Sequence, residues 1–349
     1  MEMSFACFHF FYLSSPNKNC KFVFYNVINY QIIMRILVST RLPIEGFSEL
    51  KQHFEVVFPE KDIFTKQEVI ERLPNFDAFL PTFQFKVDKE IIDAAINLKI
   101  IANYGVGFNN IVVNYAAERG IVVTNTPDPV IEPTAEHTFA LMLASARRIS
   151  ECDRKMRTID GLKWGLLENL GQTLYGKTLG IIGMGRIGKA VARRALASGM
   201  NIVYYNRTRL TPEDEILFNA QLFDLEELLK MSDVVTLHTP LTDETYHLIN
   251  SERMKLMKPT AILVNTSRGP VIDENALAEA LLEKQIFAAA LDVYEFEPVV
   301  NEKLLLCDNA ILSPHNGTAT IEARIEMSRF ASQNIIRFFE GRTDITRVN

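Results

Sequence analysis

The chain has 349 residues, of which 48% are hydrophobic and 23% are charged, so it is long enough to form two domains with substantial cores. Its formal charge of -6 and its pI near 5.7 exclude the broad basic surface that attracts nucleic acid or an anionic membrane. The 4 cysteines are scattered, which argues against a disulfide framework or a zinc cluster and favours a reducing, cytoplasmic environment. We therefore expect no structural metal, no nucleic-acid partner and no membrane partner.

Residues 1–33 differ in character from the rest of the chain. They are rich in aromatic residues and follow neither a helical nor a strand period, so we interpret them as an adventitious or disordered N-terminal extension. Their apolar run is too short to cross a bilayer, and it lacks the basic region and cleavage site of a secretory signal. A genuine appendage of unrecognised type is the alternative. Met34 opens an apolar strand and makes a natural beginning for the first domain.

Strand-length apolar runs alternate with amphipathic segments from Met34 onward, which predicts an α/β protein with two domains. Five such runs lie within residues 34–132: MRILVST, EVVF, FDAFLPT, KIIANYG and IVVTNTP. The proline-rich stretch TPDPVIEPT predicts a hinge, and Pro133 suits the first turn of the apolar helix that follows it. Residues 133–315 carry six more strand candidates, from KTLGIIG to AILSPH. The helical stretch within residues 316–349 is expected to return to the first domain.

A GxGxxG pattern occupies Gly183, Gly185 and Gly188, between a predicted strand and a predicted helix. In this context the first glycine permits a tight turn, the second lets the backbone approach a pyrophosphate, and the third allows close helix packing. Arg186 and Ile187 open the helix, whose N-terminal amides attract phosphate. The pattern predicts a dinucleotide site, and a glycine-rich turn without a ligand is the alternative.

The turn after the next strand holds the residues expected to read the ribose of the dinucleotide. Asn206 stands where an acidic residue would bind a ribose 2′-hydroxyl, so no carboxylate at this position repels a 2′-phosphate. Arg207, Thr208 and Arg209 offer two cations and a hydroxyl, which favours NADP(H) and leaves NAD(H) possible. The alternative is a solvated basic turn that binds nothing.

Polar residues follow three other strand candidates, in the segments NTSRG (265–269), DVYEFEP (292–298) and SPHNG (313–317). Ligands of doubly wound folds bind at the carboxyl ends of strands, so we expect these segments to form one site. Reduction of a 2-oxo acid needs a cation and a proton donor that titrates near neutrality, and Arg268 and His315 meet these needs. A carboxylate beside the histidine would fix its tautomer, and both Glu295 and Glu297 are candidates.

Together these motifs resemble those of the D-isomer-specific 2-hydroxyacid dehydrogenases, in the branch of glyoxylate and hydroxypyruvate reductases. The likeness extends over nearly everything from Met34 onward and includes NYGVGFNN (103–110), PTAEH (133–137) and HTPLTDET (238–245). The resemblance implies a Rossmann dinucleotide-binding domain, residues 133–315, and a flavodoxin-like substrate domain, residues 34–132 plus 316–349. It places the active site in the cleft between them.

The resemblance also assigns individual residues. Arg268 becomes the substrate-binding arginine, His315 the acid/base, and Glu297 its carboxylate partner, because the family's glutamate precedes a proline. Val106 and Gly107 become backbone donors to the substrate carboxylate. The cofactor contacts implied beyond the glycine loop and the basic turn are Thr134, His238, Thr239, Pro240, Thr245, Thr266, Ser267, Arg268, Asp292, His315 and Gly317, with Asp292 as the partner of the nicotinamide amide.

The resemblance therefore implies reduction of a small 2-oxo acid, with glyoxylate or hydroxypyruvate favoured, to a D-2-hydroxy acid. Asn109 departs from the aspartate common in relatives, and Glu297 disfavours formate, whose dehydrogenases carry glutamine there. The alternative function is that of a dinucleotide-binding regulatory protein, similar to the corepressors on the same fold. An apolar stretch through Trp164, Leu166 and Leu167 resembles the arm through which relatives form homodimers.

Overall fold

Residues 34–349 are described in the computed structural model of the chain, and the proposed N-terminal extension lies outside them. The strands of this part are β1 (Arg35–Val38), β2 (Glu55–Val57), β3 (Ala78–Leu80), β4 (Ile100–Ala102), β5 (Val122–Thr124), β6 (Thr178–Ile182), β7 (Asn201–Tyr205), β8 (Ala220–Leu222), β9 (Val234–Leu237), β10 (Ile262–Asn265), β11 (Ala288–Leu291) and β12 (Ala310–Leu312). The α-helices are α1 (Leu50–His53), α2 (Lys66–Arg72), α3 (Lys89–Ala94), α4 (Val113–Glu118), α5 (Ile131–Ala146), α6 (Ile149–Met156), α7 (Arg186–Ala197), α8 (Pro212–Leu217), α9 (Leu225–Met231), α10 (Ser251–Met254), α11 (Glu274–Leu282), α12 (Glu302–Leu305) and α13 (Ile321–Phe339).

The first five strands form one parallel sheet in the order β2-β1-β3-β4-β5, which is the flavodoxin-like order. Successive side chains of a strand point to opposite faces, and both faces of this sheet are covered. Leu37, Phe79 and Ile101 contribute to the core beneath α2, α3 and α4. Ile36 and Ile100 point the other way, into a second core. That core is completed by Met327, Ala331 and Ile335 of α13, so the final helix returns to the first sheet, as its position in the sequence suggested.

The other seven strands form a second parallel sheet in the order β12-β11-β10-β9-β6-β7-β8. Counted from β6, this is the 3-2-1-4-5-6 order of a Rossmann fold with one strand added. The central strands β9, β10 and β11 are buried along their whole length, because helices cover both faces. Strand order reverses between β6 and β9, and the glycine loop follows β6 at this switch point. A dinucleotide is expected to bind there.

The expectation of six strands in the second half was one short, because β8 was missed. This edge strand has three residues, and Gln221 and Leu222 are exposed. A strand this short, with one buried position, has no apolar alternation that a sequence pattern can reveal. Its pairing with β7 depends instead on packing in the hydrophobic core of the second sheet.

The crossover between the two sheets runs from the end of β5 into α5. Helix α5 begins at Ile131, two residues before Pro133, so the proline lies within the first turn, where its missing N–H costs no hydrogen bond. Across this crossover, Asp128 forms an ion pair of 2.6 Å with Arg186 at the start of α7. No helix among residues 34–349 is both long enough and apolar enough to span a membrane.

Candidate active site

Two glycines of the loop between β6 and α7 occupy positions where a larger residue would not fit. Gly183 has φ of +91°, and a Cβ on it would lie 2.8 Å from the carbonyl carbon of His238. A Cβ on Gly188 would lie 2.7 Å from the Gly183 oxygen, so this glycine lets α7 pack close to the loop. Gly185 is the N-cap of α7, and no atom lies within 4 Å of its missing Cβ. The loop therefore opens to one side at a helix N-terminus, which suits a pyrophosphate.

In the turn after β7, one of the two arginines expected to bind phosphate is already paired with a carboxylate. Arg209 donates Nε and Nη2 to both carboxylate oxygens of Glu215, at 2.9 Å each, so its guanidinium fork is already engaged. The buried Tyr204 hydroxyl donates to the same carboxylate at 2.6 Å. Arg207 is exposed and makes no ion pair with any residue in 34–349. Asn206 accepts a hydrogen bond of 2.6 Å from the Met184 amide, which ties this turn to the glycine loop.

Several predicted cofactor contacts lie beside the glycine loop, after β9. A Cβ on Gly183 would meet the His238 carbonyl and the Thr239 amide, at 2.9 Å each. His238 Nε2 and Thr239 Oγ1 are buried and have no hydrogen-bond partner within the described part of the chain. Burial lowers the pKa of His238 to about 4, so its imidazole is neutral at physiological pH. Two unsatisfied polar side chains next to a phosphate-binding loop fit a site built for a polar ligand.

Other predicted contacts use their side chains internally. Thr245 Oγ1 donates to the Pro240 carbonyl at 2.7 Å, Thr266 Oγ1 lies 2.8 Å from Thr138 Oγ1, and Ser267 Oγ donates to Asn265 at 2.8 Å. These bonds shape the loops after β9 and β10. Any contact of these residues with a cofactor would therefore fall mainly to their backbones. The same holds for Arg186, whose guanidinium is paired with Asp128.

The predicted partner of the nicotinamide amide, Asp292, is 1% exposed and directly follows β11. Its carboxylate accepts the amides of Asn316 at 2.7 Å and Gly317 at 2.8 Å, and it lies 3.1 Å from His137 Nε2. Burial raises the pKa of Asp292, but the hydrogen bonds of His137 and the Asn316 amide outweigh it, so this pKa lies below its ordinary value. Thr134 belongs to the same group, since a Cβ on Gly317 would lie 3.5 Å from its methyl carbon.

The guanidinium of Arg268 lies against the loop that follows β4. A Cβ on Gly107 would be 1.5 Å from Arg268 Nη2, so only glycine allows this approach. Burial lowers the pKa of Arg268, while the charge of Glu297 acts in the opposite direction. Its one side-chain hydrogen bond within residues 34–349 is donated to the Ser267 carbonyl, at 2.6 Å, and no carboxylate there pairs with it. A largely buried cation without a paired anion is suited to bind a carboxylate.

His315 and Glu297 form a hydrogen-bonded pair, with 2.9 Å between His315 Nδ1 and Glu297 Oε2. The other oxygen of Glu297 accepts the Tyr294 amide at 3.1 Å. Burial raises the pKa of Glu297, but the bond and charge of His315 and the nearby Arg268 outweigh it, so the pKa lies below its usual value. Phe83, from the first sheet's side of the cleft, stacks on the His315 ring with 4.3 Å between centroids.

The choice between Glu295 and Glu297, open on the residues alone, has a geometric answer. Glu295 Oε1 lies 3.0 Å from His247 Nε2 and accepts the Glu274 amide at 3.0 Å. It is therefore bound to the start of α11 and directed away from His315. Glu297 is the carboxylate that contacts His315.

The family profile described as the NAD binding domain of D-isomer specific 2-hydroxyacid dehydrogenases matches residues 139–317. The chain belongs to this family. The family predicted from the motifs and the two-sheet α/β architecture are thus confirmed. As a D-2-hydroxyacid dehydrogenase, the protein is an oxidoreductase that uses a nicotinamide dinucleotide and acts on a CH–OH group.

Similar members of the family are found among characterised proteins and solved structures. A glyoxylate reductase from Thermococcus gammatolerans is 47% identical over 320 residues, which are 90% of this chain and 96% of that protein. A glyoxylate reductase structure from Paecilomyes thermophila shares 33% identity at a TM-score of 0.81, covering 90% of this chain and 98% of that one. The structure of an NADPH-dependent glyoxylate/hydroxypyruvate reductase from Sinorhizobium meliloti, in complex with NADP and malonate, shares 31% sequence identity at a TM-score of 0.77. This match covers 90% of this chain and 96% of that one.

Two side chains of this dehydrogenase site were not singled out from the sequence. His137 lies within the PTAEH motif, yet nothing in its spacing showed that it reaches Asp292, 155 residues later. Phe83 lies in the loop after β3, and its stacking on His315 depends on the packing of the two sheets. Within residues 34–349, no group of three or more His, Cys, Asp or Glu residues is placed to hold a metal ion.

Proposed function

We propose that this dehydrogenase reduces a small 2-oxo acid, glyoxylate or hydroxypyruvate, with NADPH, giving the D configuration where C2 becomes chiral. One observation carries the proposal: three groups meet at the cleft between the sheets. Gly107 touches the Arg268 guanidinium, the charge of Arg268 acts on Glu297, and Glu297 is bound to His315. A carboxylate-binding cation beside a supported proton donor is the arrangement that reduction of a 2-oxo acid requires.

The domain assignment belongs to the same proposal. We assign residues 34–132 with 316–349 to the substrate domain and residues 133–315 to the dinucleotide domain. Its support is that the loop after β4 carries Gly107, whereas Arg268, Glu297 and His315 all follow strands of the second sheet. Closure of the cleft about residues 127–133 and 314–317 would bring the two sets of groups together and exclude water.

Each residue of the site has a distinct task in the proposed mechanism. Arg268 holds the substrate carboxylate and keto oxygen, and the amides of Val106 and Gly107 hold the carboxylate from the other side. When bound, the reduced nicotinamide supplies the hydride that goes to C2. His315 Nδ1 is engaged by Glu297, so Nε2 is the atom that delivers the proton to the substrate oxygen. The ionised Glu297 stabilises the imidazolium before that transfer.

The Phe83 ring, stacked on His315, favours a small substrate over a large one. It covers one face of His315 at 4.3 Å, and a group bound beside Nε2 must share the cleft with it. The relatives named above are glyoxylate or glyoxylate/hydroxypyruvate reductases, which agrees with acids of two or three carbons. A 2-oxo acid with a large substituent on C2 would meet the phenyl ring.

The proposal is tested by steady-state oxidation of NADPH and NADH with a panel of 2-oxo acids: glyoxylate, hydroxypyruvate, pyruvate and phenylpyruvate. We expect the highest kcat/KM with glyoxylate or hydroxypyruvate. A protein that binds the dinucleotide but oxidises it with none of these acids would instead support the regulatory, corepressor-like alternative. A clear preference for phenylpyruvate would overturn the assignment of substrate size.

Glu297→Gln is expected to lower kcat and to move the alkaline limb of the kcat/KM profile to lower pH. Glutamine has no negative charge, so it stabilises the protonated form of the proton donor less than glutamate does. The pKa of Glu297 lies below the ordinary value of a glutamate. Its ionised carboxylate therefore stabilises the fold fully at pH values above that ordinary pKa, and this stabilisation is lost as the pH falls through the lowered pKa.

The measurement for Glu297→Gln is kcat/KM with glyoxylate between pH 5 and 10, in parallel with Glu302→Gln, a change at the first residue of α12. An unaltered profile in Glu297→Gln would contradict the assigned partnership. Glu295→Gln is then the next variant to measure, because Glu295 is the other carboxylate that the sequence offers as a partner of His315, although it contacts His247 in the structure.

We further propose that the protein forms a homodimer through the segment that follows α6. Trp164 is 83% exposed, Leu166 96% and Leu167 84%, which leaves a large apolar surface uncovered in a single described chain. A second copy would bury it. Sedimentation velocity is expected to give the dimer mass, with Trp164→Glu shifting the protein toward the monomer. A monomeric parent at micromolar concentration would refute the dimer.

A further inference from the structure

The two amides proposed to bind the substrate carboxylate belong to peptide groups whose carbonyls are held on the opposite side. Val106 N–H shares its peptide group with the Gly105 carbonyl, and Gly107 N–H shares its group with the Val106 carbonyl. In a planar trans peptide the N–H and C=O point in opposite directions, so fixing the oxygen also aims the N–H. Neither amide donates to an acceptor within residues 34–349, which leaves both available to a ligand.

The Gly105 carbonyl is fixed from within the first sheet. It accepts Asn103 Nδ2 at 3.1 Å and the Thr126 amide at 2.9 Å. Asn103 is fully buried and also donates to the Gly107 carbonyl at 2.9 Å. Its own Oδ1 accepts Asn110 Nδ2 at 3.2 Å. Asn103 therefore belongs to the structural core of this loop, and its replacement would disturb folding as well as binding.

The Val106 carbonyl is fixed by one side chain from another strand end. Asn125 Nδ2, just after β5, donates to it at 2.9 Å, and that is the one hydrogen bond made by the Asn125 side chain in the described structure. The backbone of Asn125 is itself held by hydrogen bonds. Its carbonyl accepts Asn334 Nδ2 of α13 at 3.1 Å and the Thr346 hydroxyl, and its amide donates to the Thr346 carbonyl at 3.1 Å.

We propose that Asn125 is a positioning residue, which aims the Gly107 amide at the substrate carboxylate by holding the Val106 carbonyl. Asn334 and Thr346 extend this support to the last helix and to the segment after it. The proposal rests on the proposed function, since Val106 and Gly107 are there the carboxylate donors. It gives Thr346 a bearing on substrate binding through its two hydrogen bonds to the backbone of Asn125.

A purely structural role for Asn125 predicts a different result. A bond that merely stabilises the loop would lower the melting temperature and leave the substrate parameters of the folded enzyme unchanged. A bond that aims an amide acts on substrate binding, so it raises KM and the inhibition constant of a carboxylate analogue while the Kd of NADPH stays the same. The split between substrate and cofactor parameters therefore separates the two roles.

The test compares Asn125→Ala and Asn125→Asp with the parent. Asn125→Ala is expected to raise the KM for glyoxylate and the Ki of oxamate, a stable 2-oxo acid analogue, about tenfold, because a hydrogen bond to a charged group is misdirected. Asn125→Asp is expected to raise both further, since a carboxylate cannot donate to the Val106 carbonyl and adds a negative charge near the substrate. The Kd of NADPH, from quenching of protein fluorescence, is expected to stay within about twofold, since the dinucleotide is held elsewhere.

Asn97→Ala is the matched control, because Asn97 Nδ2 likewise donates to a backbone carbonyl, that of Pro74, at 2.7 Å, in an exposed turn between α3 and β4. Thr346→Val, which removes the hydroxyl bound to Asn125, is expected to raise the KM and Ki by a smaller factor and serves as the second variant. An active Asn125→Ala with parental KM and Ki would overturn the inference alone. A parent that reduces no 2-oxo acid would overturn the proposed function, and the inference with it.

Discussion

His315→Ala and Arg268→Ala are each expected to lower kcat/KM for glyoxylate by about 10²- to 10⁴-fold. His315 is the imidazole that Glu297 contacts, at 2.9 Å, so its replacement by alanine removes the proposed proton donor. Arg268 is the largely buried cation against which Gly107 packs. Its loss removes the group that we propose holds both the substrate carboxylate and the oxygen that becomes negative.

The accompanying expectation is that both variants keep most of their affinity for NADPH, because the glycine loop follows β6 and the basic turn follows β7, whereas Arg268 follows β10 and His315 follows β12. The Kd of NADPH is measured by fluorescence titration beside kcat/KM. His53→Ala and Arg329→Ala serve as controls, since both residues are exposed and lie on α1 and α13. Near-parental kcat in either active-site variant would show that the chemistry takes place elsewhere.

The sequence predicted those parts of the site that depend on local order along the chain. Gly183, Gly185 and Gly188 belong to one strand-loop-helix unit, and Arg268 and His315 lie in the loops that follow the apolar strands β10 and β12. Strands of a parallel sheet end at one edge, so their polar ends are brought together by topology alone. The helical pattern of the last stretch was likewise expected to return to the first domain, and α13 packs there.

What could not be predicted depends on packing between distant elements. Asn125 reaches Val106, and His137 reaches Asp292, only once the sheets and α5 are assembled. Glu295 and Glu297 are two residues apart, and only the structure shows which of them contacts His315. Pairings of this kind carry no period or spacing that a single sequence reveals.

The basic turn after β7 also contains contacts that the sequence does not reveal, and these contacts refine the expected cofactor selectivity. The sequence offers Arg207 and Arg209 as equivalent cations for a 2′-phosphate. In the structure the fork of Arg209 is bound to Glu215, whose side chain lies on α8, while Arg207 is exposed and free of ion pairs within the described chain. We therefore propose Arg207 as the principal phosphate-binding cation, with Arg209 contributing less.

The enzyme is accordingly expected to prefer NADPH, with Arg207→Ala weakening NADPH by roughly ten- to a hundredfold and NADH hardly at all. A hydrogen bond to a charged group contributes about 1.5 to 3 kcal/mol, which corresponds to that range. Arg209→Ala is expected to have a smaller effect, because Glu215 already neutralises its charge. Arg209→Ala also leaves Tyr204 as the one described side chain that donates to the Glu215 carboxylate.

Asn206→Asp is the sharpest variant of this set. The Asn206 oxygen accepts the Met184 amide at 2.6 Å, and an aspartate oxygen can accept the same amide, so the glycine loop should keep its shape. The added charge repels a 2′-phosphate and offers the ribose hydroxyls of NADH an acceptor, which moves the preference toward NADH. The measurement is kcat/KM for both cofactors in all variants at one low salt concentration, because exposed charges are screened by salt. A parent that already prefers NADH would refute the assignment, and arginine variants that lose both cofactors equally would show that this turn supports the fold rather than reading the phosphate.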